Sequence, residues 1–360
     1  MMSSLLYIAI NPYIINVVFQ IIWSIVILNN IKIVNRKKIF IVLVSLQWIL
    51  LSGLRHITIG ADTRAYFDIF HRVIYRSWKE LFVNFINIIF LGAEGKDPGY
   101  NLFQKLVQII TVNYQVYLII IAVIFIVPLG KWIYKNSINP FISFLIYSVL
   151  FYSFFSITGH RQTIATAILV LVGYKYIKEK QLLKFIILTF IAFTIHKSAL
   201  VFFPFYFLAD KKVTKKYFIT ILVVFPLLMY LRVPIALIFQ NLSGYEYGIY
   251  EGAGTMNFTI LLLLIAIVAL WKSKTILTNK PQTTHFFNAL IISVLLTPLT
   301  WVNPSAMRVV QYYSLFLMLL VPEIINSFKK NERPVVYFVI IGLLMILLLR
   351  SNPHYRFFWQ

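Results

Sequence analysis

Long apolar runs alternate with short polar connectors along almost the whole chain, and many of the runs are near the length that crosses a bilayer. Each run must satisfy its own backbone polar groups in lipid, which only helices do within a single segment. The pattern predicts an all-α, polytopic integral membrane bundle of about 11–13 membrane segments, forming a single transmembrane domain over 1–360. The first run, 5–28, lacks a basic leader region and a small-residue cleavage site, so it is expected to be a retained helix.

Two stretches depart from simple spans. The apolar region 185–209 lies between two basic connectors and must turn back on itself; splitting it at His196 and Lys197 leaves halves of about 12 residues, near 18 Å against a core of about 30 Å. A short or re-entrant helix pair is predicted, with His196 and Lys197 facing a wet cavity or Lys197 snorkelling to the headgroups. The second is the polar loop 55–99. Within it Arg64, Asp68, His71, Arg72 and Arg76 recur at helical spacing around Phe67, Phe70 and Ile74, the pattern of an amphipathic helix lying flat on the membrane. Asp62 or Thr63 stands where a cap belongs, and 92–99 reads as a flexible acidic turn.

Composition agrees with lipid solvation: 60% of residues are hydrophobic and 12% charged. The formal charge of +22 would suggest nucleic acid in a soluble protein. Here the basic residues concentrate in the connectors 32–38, 131–135, 175–184, 211–216, 272–280 and 329–333, which the positive-inside rule assigns to the cytoplasm, so no nucleic-acid partner is expected. The segments 55–100, 159–162, 241–257 and 301–305 then fall outside, together with Asp62, Asp68, Glu80, Glu94, Asp97, Glu246 and Glu251. The chain has no cysteine, which removes thiolate chemistry and disulfides.

Three further features concentrate on that outer side. His160 and Arg161, with Gln162, form a basic turn between apolar runs, against the charge trend, and a nearby anion would explain it. Arg308 lies within an apolar run and shares a helical face with Gln311 and Tyr312. Tyr245, Tyr247, Tyr250 and Trp301 are either sugar-stacking or interfacial belt residues.

The order Arg55, Gly60, Asp62, Thr63, Arg64 and Tyr66, then the turn from Glu94 to Tyr100, then His160-Arg161-Gln162, His196-Lys197 and Arg308 with Tyr312-Tyr313, resembles the EpsG family. The resemblance implies a GT-C-like membrane fold and a Wzy-like polymerase of O-antigen, capsule or exopolysaccharide units in the bacterial inner membrane, its active site facing the periplasm or outside. It also implies undecaprenyl-diphosphate-linked glycans as donor and acceptor, with a chain-length regulator and a flippase as partners. A diphosphate leaving group needs cations, and Arg55, Arg161, Arg308 and Lys197 are the candidates. Asp62 is the first choice of base for the acceptor hydroxyl and His196 its rival, Asp62 having a helix cap as its other reading. Arg64, Tyr66, Glu94, Asp97, His160, Gln162, Gln311 and Tyr312 are candidates for substrate binding, and Glu94 with Asp97 also for a divalent cation. No tight carboxylate motif is present, so neither a metal nor another cofactor is expected.

Two other membrane activities use similar residues. One is transfer of a single sugar from a polyprenyl-phosphate donor. The other is a lipid-linked oligosaccharide flippase, against which stands the lack of a second copy of the 55–100 loop. A glycan acyltransferase fits less well, because His160 has no acid close in sequence.

Overall fold

The computed structural model describes residues 11–243, 255–351 and 354–360. Tyr245, Glu246, Tyr247, Tyr250 and Glu251 lie outside the described residues. The helices are α1 (Pro12–Trp23), α2 (Arg36–Gly53), α3 (Thr63–Ile74), α4 (Trp78–Phe90), α5 (Pro98–Gln108), α6 (Tyr114–Asn136), α7 (Pro140–Ile146) and α8 (His160–Thr166). They continue with α9 (Tyr174–Lys178), α10 (Leu182–Ile195), α11 (Phe205–Leu208), α12 (Lys215–Tyr230), α13 (Arg232–Ser243), α14 (Met256–Asn279), α15 (Thr284–Leu296), α16 (Met307–Ser314), α17 (Leu317–Asn326) and α18 (Arg333–Ser351). Among the described residues the fold is all-α, with one isolated antiparallel bridge between Arg55 and Phe357.

The apolar runs are unequal as spans. Four helical segments are singly long and apolar enough to cross: Tyr114–Asn136, Met256–Asn279, Pro281–Trp301 and Arg333–Ser351. Two bent pairs, Ile219–Tyr230 with Arg232–Ile238 at 74° and Pro304–Ser314 with Leu317–Asn326 at 54°, raise the number to six. The other apolar runs form shorter helices such as Leu182–Ile195 and Lys197–Leu208. The chain is a multi-pass membrane protein.

The region 185–209 breaks at His196, whose extended backbone (φ −156°, ψ 112°) ends α10 before a 3-10 turn, Lys197–Phe202, leads to α11. The amphipathic α3 differs from expectation in what covers its apolar face. Tyr66, Phe70 and Val73 are buried in protein, and the first two join Tyr100, Tyr117, Ile164 and Ile195 in a small second core. Helical periodicity is the same whether lipid or protein covers the face, and here α5, α6 and α8 supply protein. Full burial of Phe70 contributes about 2–3 kcal/mol. Within the 55–99 loop it is α4 that leaves large apolar side chains exposed, through Phe82, Val83, Ile86 and Phe90.

Charge gathers at two separate places. Lys37 donates to the carbonyls of Tyr134 and Ser137 at 2.7 Å each, and Lys178 to Oδ1 of Asn136 at 2.8 Å. Lys280 pairs with buried Glu323 at 2.6 Å. These lysines close the carbonyl end of α6, where the helix dipole favours cations. The other gathering contains the loop 55–99, the turn at His160, the break at His196 and the start of α16.

Candidate functional site

Asp97 organises this second gathering. It precedes Pro98, the first residue of α5, in a left-handed conformation (φ 49°), and its side chain is 1% exposed. Gly99 sits so close to α10 that a Cβ there would meet Thr194 Oγ1 at 2.4 Å and the Thr194 carbonyl carbon at 2.9 Å. That approach brings Asp97 to the break after α10. Its Oδ2 accepts from Arg161 at 2.7 Å and lies 3.2 Å from His196 Nδ1, while Oδ1 accepts the Lys197 N–H at 3.1 Å. Burial pushes the Asp97 carboxyl up, but the His196 hydrogen bond, the nearby Arg161 and the Lys197 amide outweigh it and hold the group below the usual carboxylate range. An ionised carboxylate only accepts, so His196 carries its proton on Nδ1 and keeps a lone pair on Nε2.

Arg161 also covers the Tyr66 ring at 5.6 Å, with Nε 3.4 Å from the Tyr66 hydroxyl. The other face of this small assembly is His160, stacked on Tyr66 with centroids 4.3 Å apart and planes 13° apart. His160 Nε2 receives a hydrogen bond from Arg55 at 2.8 Å, so the proton is on Nδ1, which is buried and has no partner among the described residues. Widened π-helical turns, Ser153–Thr158 and Ala167–Val172, bracket α8 and set the angle at which His160 and Arg161 leave the backbone.

Arg308 approaches the assembly from the start of α16. It pairs with Asp62 at 3.3 Å, and its carbonyl accepts from Gln162 at 2.6 Å. The Asp62 side chain makes no cap to α3, so that reading of Asp62 gives way to an ion pair. Asp62 is placed by Gly60, whose φ of +100° and closeness to the Ile157 carbonyl leave no room for a side chain. Arg161 and Arg308 each stand in the first turn of a helix, where a cation opposes the helix dipole, and each is matched by an aspartate from the loop.

The remaining predicted residues divide. Tyr312 is buried and reaches Ser198 at 3.1 Å, and Gln311 is buried with Oε1 unpartnered among the described residues. Arg55 is 2% exposed, its guanidinium given to the Ser52 carbonyl and to His160, so it faces His160 and not the cavity. Lys197 meets Asp97 through its backbone amide. Arg64 and Glu94 are exposed and stand outside this network of contacts. Asp97, expected as a ligand for sugar or cation, has both oxygens engaged by protein groups, which makes it a positioning residue.

Beside Arg161 opens a cavity of about 390 Å³ lined by Arg72, Arg76, Lys96, Asp97, Tyr100 and Arg161. Arg72, Arg76 and Lys96 were not among the sequence candidates, although Arg72 stands on a polar position of α3 and Arg76 follows two residues after its end. Sequence spacing marks them as polar; only the fold turns them toward Arg161.

The fold and site are those of an all-α multi-pass membrane protein in which two aspartate-paired arginines and a buried Asp–His pair stand beside a cavity lined by basic residues. The chain belongs to the EpsG family, whose family model matches residues 38–359, nearly its whole length. No curated protein and no solved structure matches it.

Proposed function

We propose that this protein is a Wzy-like polysaccharide polymerase, joining oligosaccharide units carried on undecaprenyl diphosphate at the outer face of the bacterial inner membrane. One observation carries the reading: in an EpsG-family chain, a single buried carboxylate, Asp97, holds both a cation, Arg161, and a candidate base, His196. Glycosyl transfer needs those two groups side by side. The acceptor hydroxyl oxygen bonds to the donor's anomeric carbon as the bond from that carbon to the diphosphate oxygen breaks. The electron pair leaves with the diphosphate, where Arg161 and Arg308 stabilise the charge, and the hydroxyl proton passes to His196 Nε2. Asp62 serves as the counter-ion of Arg308 and His160 as a donor to substrate through Nδ1–H.

Deleting the gene and running the surface glycan on a gel tests the assignment. The expected result is loss of the ladder with single units retained, restored by wild type and not by R161A or H196A at equal expression. Complete loss of glycan supports a flippase or an earlier transferase, and an unchanged ladder sinks polysaccharide assembly altogether. Sidedness is tested separately: the cysteine-free chain accepts a single cysteine, and S77C should be labelled by an impermeant reagent in cells stripped of the outer layer, with K330C silent.

A further inference from the structure

We infer that the cavity where α18 meets α7 and α17 binds an anionic glycerophospholipid, with Arg333 on its phosphate and Pro322, Ile325 and Tyr337 against its acyl chains. The inference does not depend on the polymerase reading. Asn139, which lines the cavity, lies just past the end of α6, a helix of 23 residues whose other end places the Tyr114 hydroxyl on the Thr63 carbonyl. At about 1.5 Å per residue, the cavity is roughly a bilayer's thickness away from the Asp97 assembly.

The lining is sorted by depth. Asn139 precedes α7, Asn326 ends α17 and Arg333 begins α18, so three polar residues stand at helix ends around the mouth. Pro322 and Tyr337 lie four residues inside Asn326 and Arg333, about 6 Å deeper, and Ile325 joins them on the apolar wall. A polar rim over an apolar floor suits a phospholipid. The volume of about 410 Å³ is that of a small-ligand site, room for a glycerophosphate headgroup and the first part of its chains.

The charge at the mouth calls for an anion. Arg333 opens α18, where a cation opposes the helix dipole. Arg161 and Arg308 hold the same position in their helices and are each matched by an aspartate. Arg333 donates through Nε to the Phe328 carbonyl at 2.9 Å, and the two acids nearest it in sequence serve other partners. Glu332 accepts the Lys329 N–H at 3.1 Å and Glu323 pairs with Lys280 at 2.6 Å. Among the described residues no carboxylate pairs with Arg333, and none lines the cavity. A phosphate there meets both the guanidinium and the N-terminus of a 19-residue helix. That the phosphate is lipid-borne follows from how α18 packs. Its buried residues are Leu344 and Leu348, whereas the first half, from Arg333 to Gly342, buries no side chain and exposes Val335, Phe338 and Val339. Lipid must cover that half, and exposed Lys329 and Lys330 add headgroup attraction on the side that the positive-inside rule assigns to the cytoplasm.

Purified full-length protein in detergent is offered phosphatidylglycerol, phosphatidylcholine or inorganic phosphate, with bound lipid read by native mass spectrometry and the unfolding temperature taken for each. Wild type should retain phosphatidylglycerol in preference to phosphatidylcholine and unfold at a higher temperature with it, while inorganic phosphate gives no such shift. R333Q should weaken phosphatidylglycerol retention by about tenfold or more, R333K less, and K211Q, at the lysine-rich connector 211–216, not at all. I138W puts an indole into the cavity from an exposed position and should weaken retention with the cation intact. Arg333 is partly exposed and Ile138 exposed, so the variants are expected to fold, and a matching size-exclusion profile checks this. Equal retention of the two lipids overturns the anionic assignment, and equal protection by inorganic phosphate overturns the lipid in favour of a free anion. Unchanged retention in R333Q overturns the phosphate site, and unchanged retention in I138W overturns the placement of the chains in this cavity.

Discussion

Asp97 and His196 lie 3.2 Å apart, Oδ2 to Nδ1, although 99 residues separate them in the chain. The pair sets which ring nitrogen of His196 holds the proton. D97N keeps the shape but replaces an acceptor by a group that can also donate, so the histidine loses its fixed tautomer and Arg161 its counter-charge. Polymerisation by D97N should fall by roughly 100-fold or more, measured as units joined per time in a reconstituted assay, with expression unchanged. Retention of most activity would show that Asp97 orients neither group.

The same carboxylate predicts an acid sensitivity. Its folded-state pKa lies below the ordinary carboxylate value, so it contributes stability that is fully present above that value, about pH 4, and lost as pH falls through the folded value. Thermal unfolding in detergent should show wild type more stable than D97N at neutral pH, with the gap closing below about pH 4. A gap that stays constant down to about pH 3 would mean the carboxylate gains nothing from its partners.

Asp62 and Arg308 separate the two readings of the base. Their pair is partly exposed, at 36% and 23%, so breaking it should change stability by less than about 1 kcal/mol. If His196 is the base and Asp62 only a counter-ion, D62N keeps activity within about tenfold of wild type, while H196A and R308Q lose about 100-fold or more. The reverse order, with D62N inactive and H196A active, assigns proton transfer to Asp62.

What could be read from the chain follows from what single residues reveal. The all-α class was legible because apolar runs of this length have only one solution in lipid, and the family because Asp62, Arg161, His196 and Arg308 stand in a recognisable order. Pairings were not legible. Nothing in the sequence says that Asp97, rather than Glu94 three residues earlier, meets Arg161, since the choice depends on the left-handed turn at Asp97 and the close packing of Gly99 on Thr194. The covering of α3 was hidden for a related reason. Phe70 and Tyr66 have the same spacing whether they meet lipid or Tyr117 and Tyr100.

The chain's last residues return to the site, and their removal gives a final expectation. His56 N–H donates to the Arg356 carbonyl at 2.8 Å and Phe358 N–H to the Leu54 carbonyl at 2.9 Å, on either side of the Arg55–Phe357 bridge. Tyr355 is buried, donates to the Leu51 carbonyl at 2.9 Å and meets the Tyr13 ring edge-on at 5.2 Å. These contacts hold the backbone of Arg55, which in turn holds His160 against Tyr66. Ending the chain after Ser351 removes two backbone hydrogen bonds and a buried tyrosine, a loss of roughly 3–5 kcal/mol, whereas Y355F removes one hydroxyl and costs about 1 kcal/mol. Activity should follow the same order if the tail acts by fixing Arg55. The check is a tail variant that breaks only the strand contact: F358P deletes one donor without touching Tyr355, and it should lower activity in the chain that keeps His160. Unchanged activity in F358P would show that the tail packs beside Arg55 without governing it.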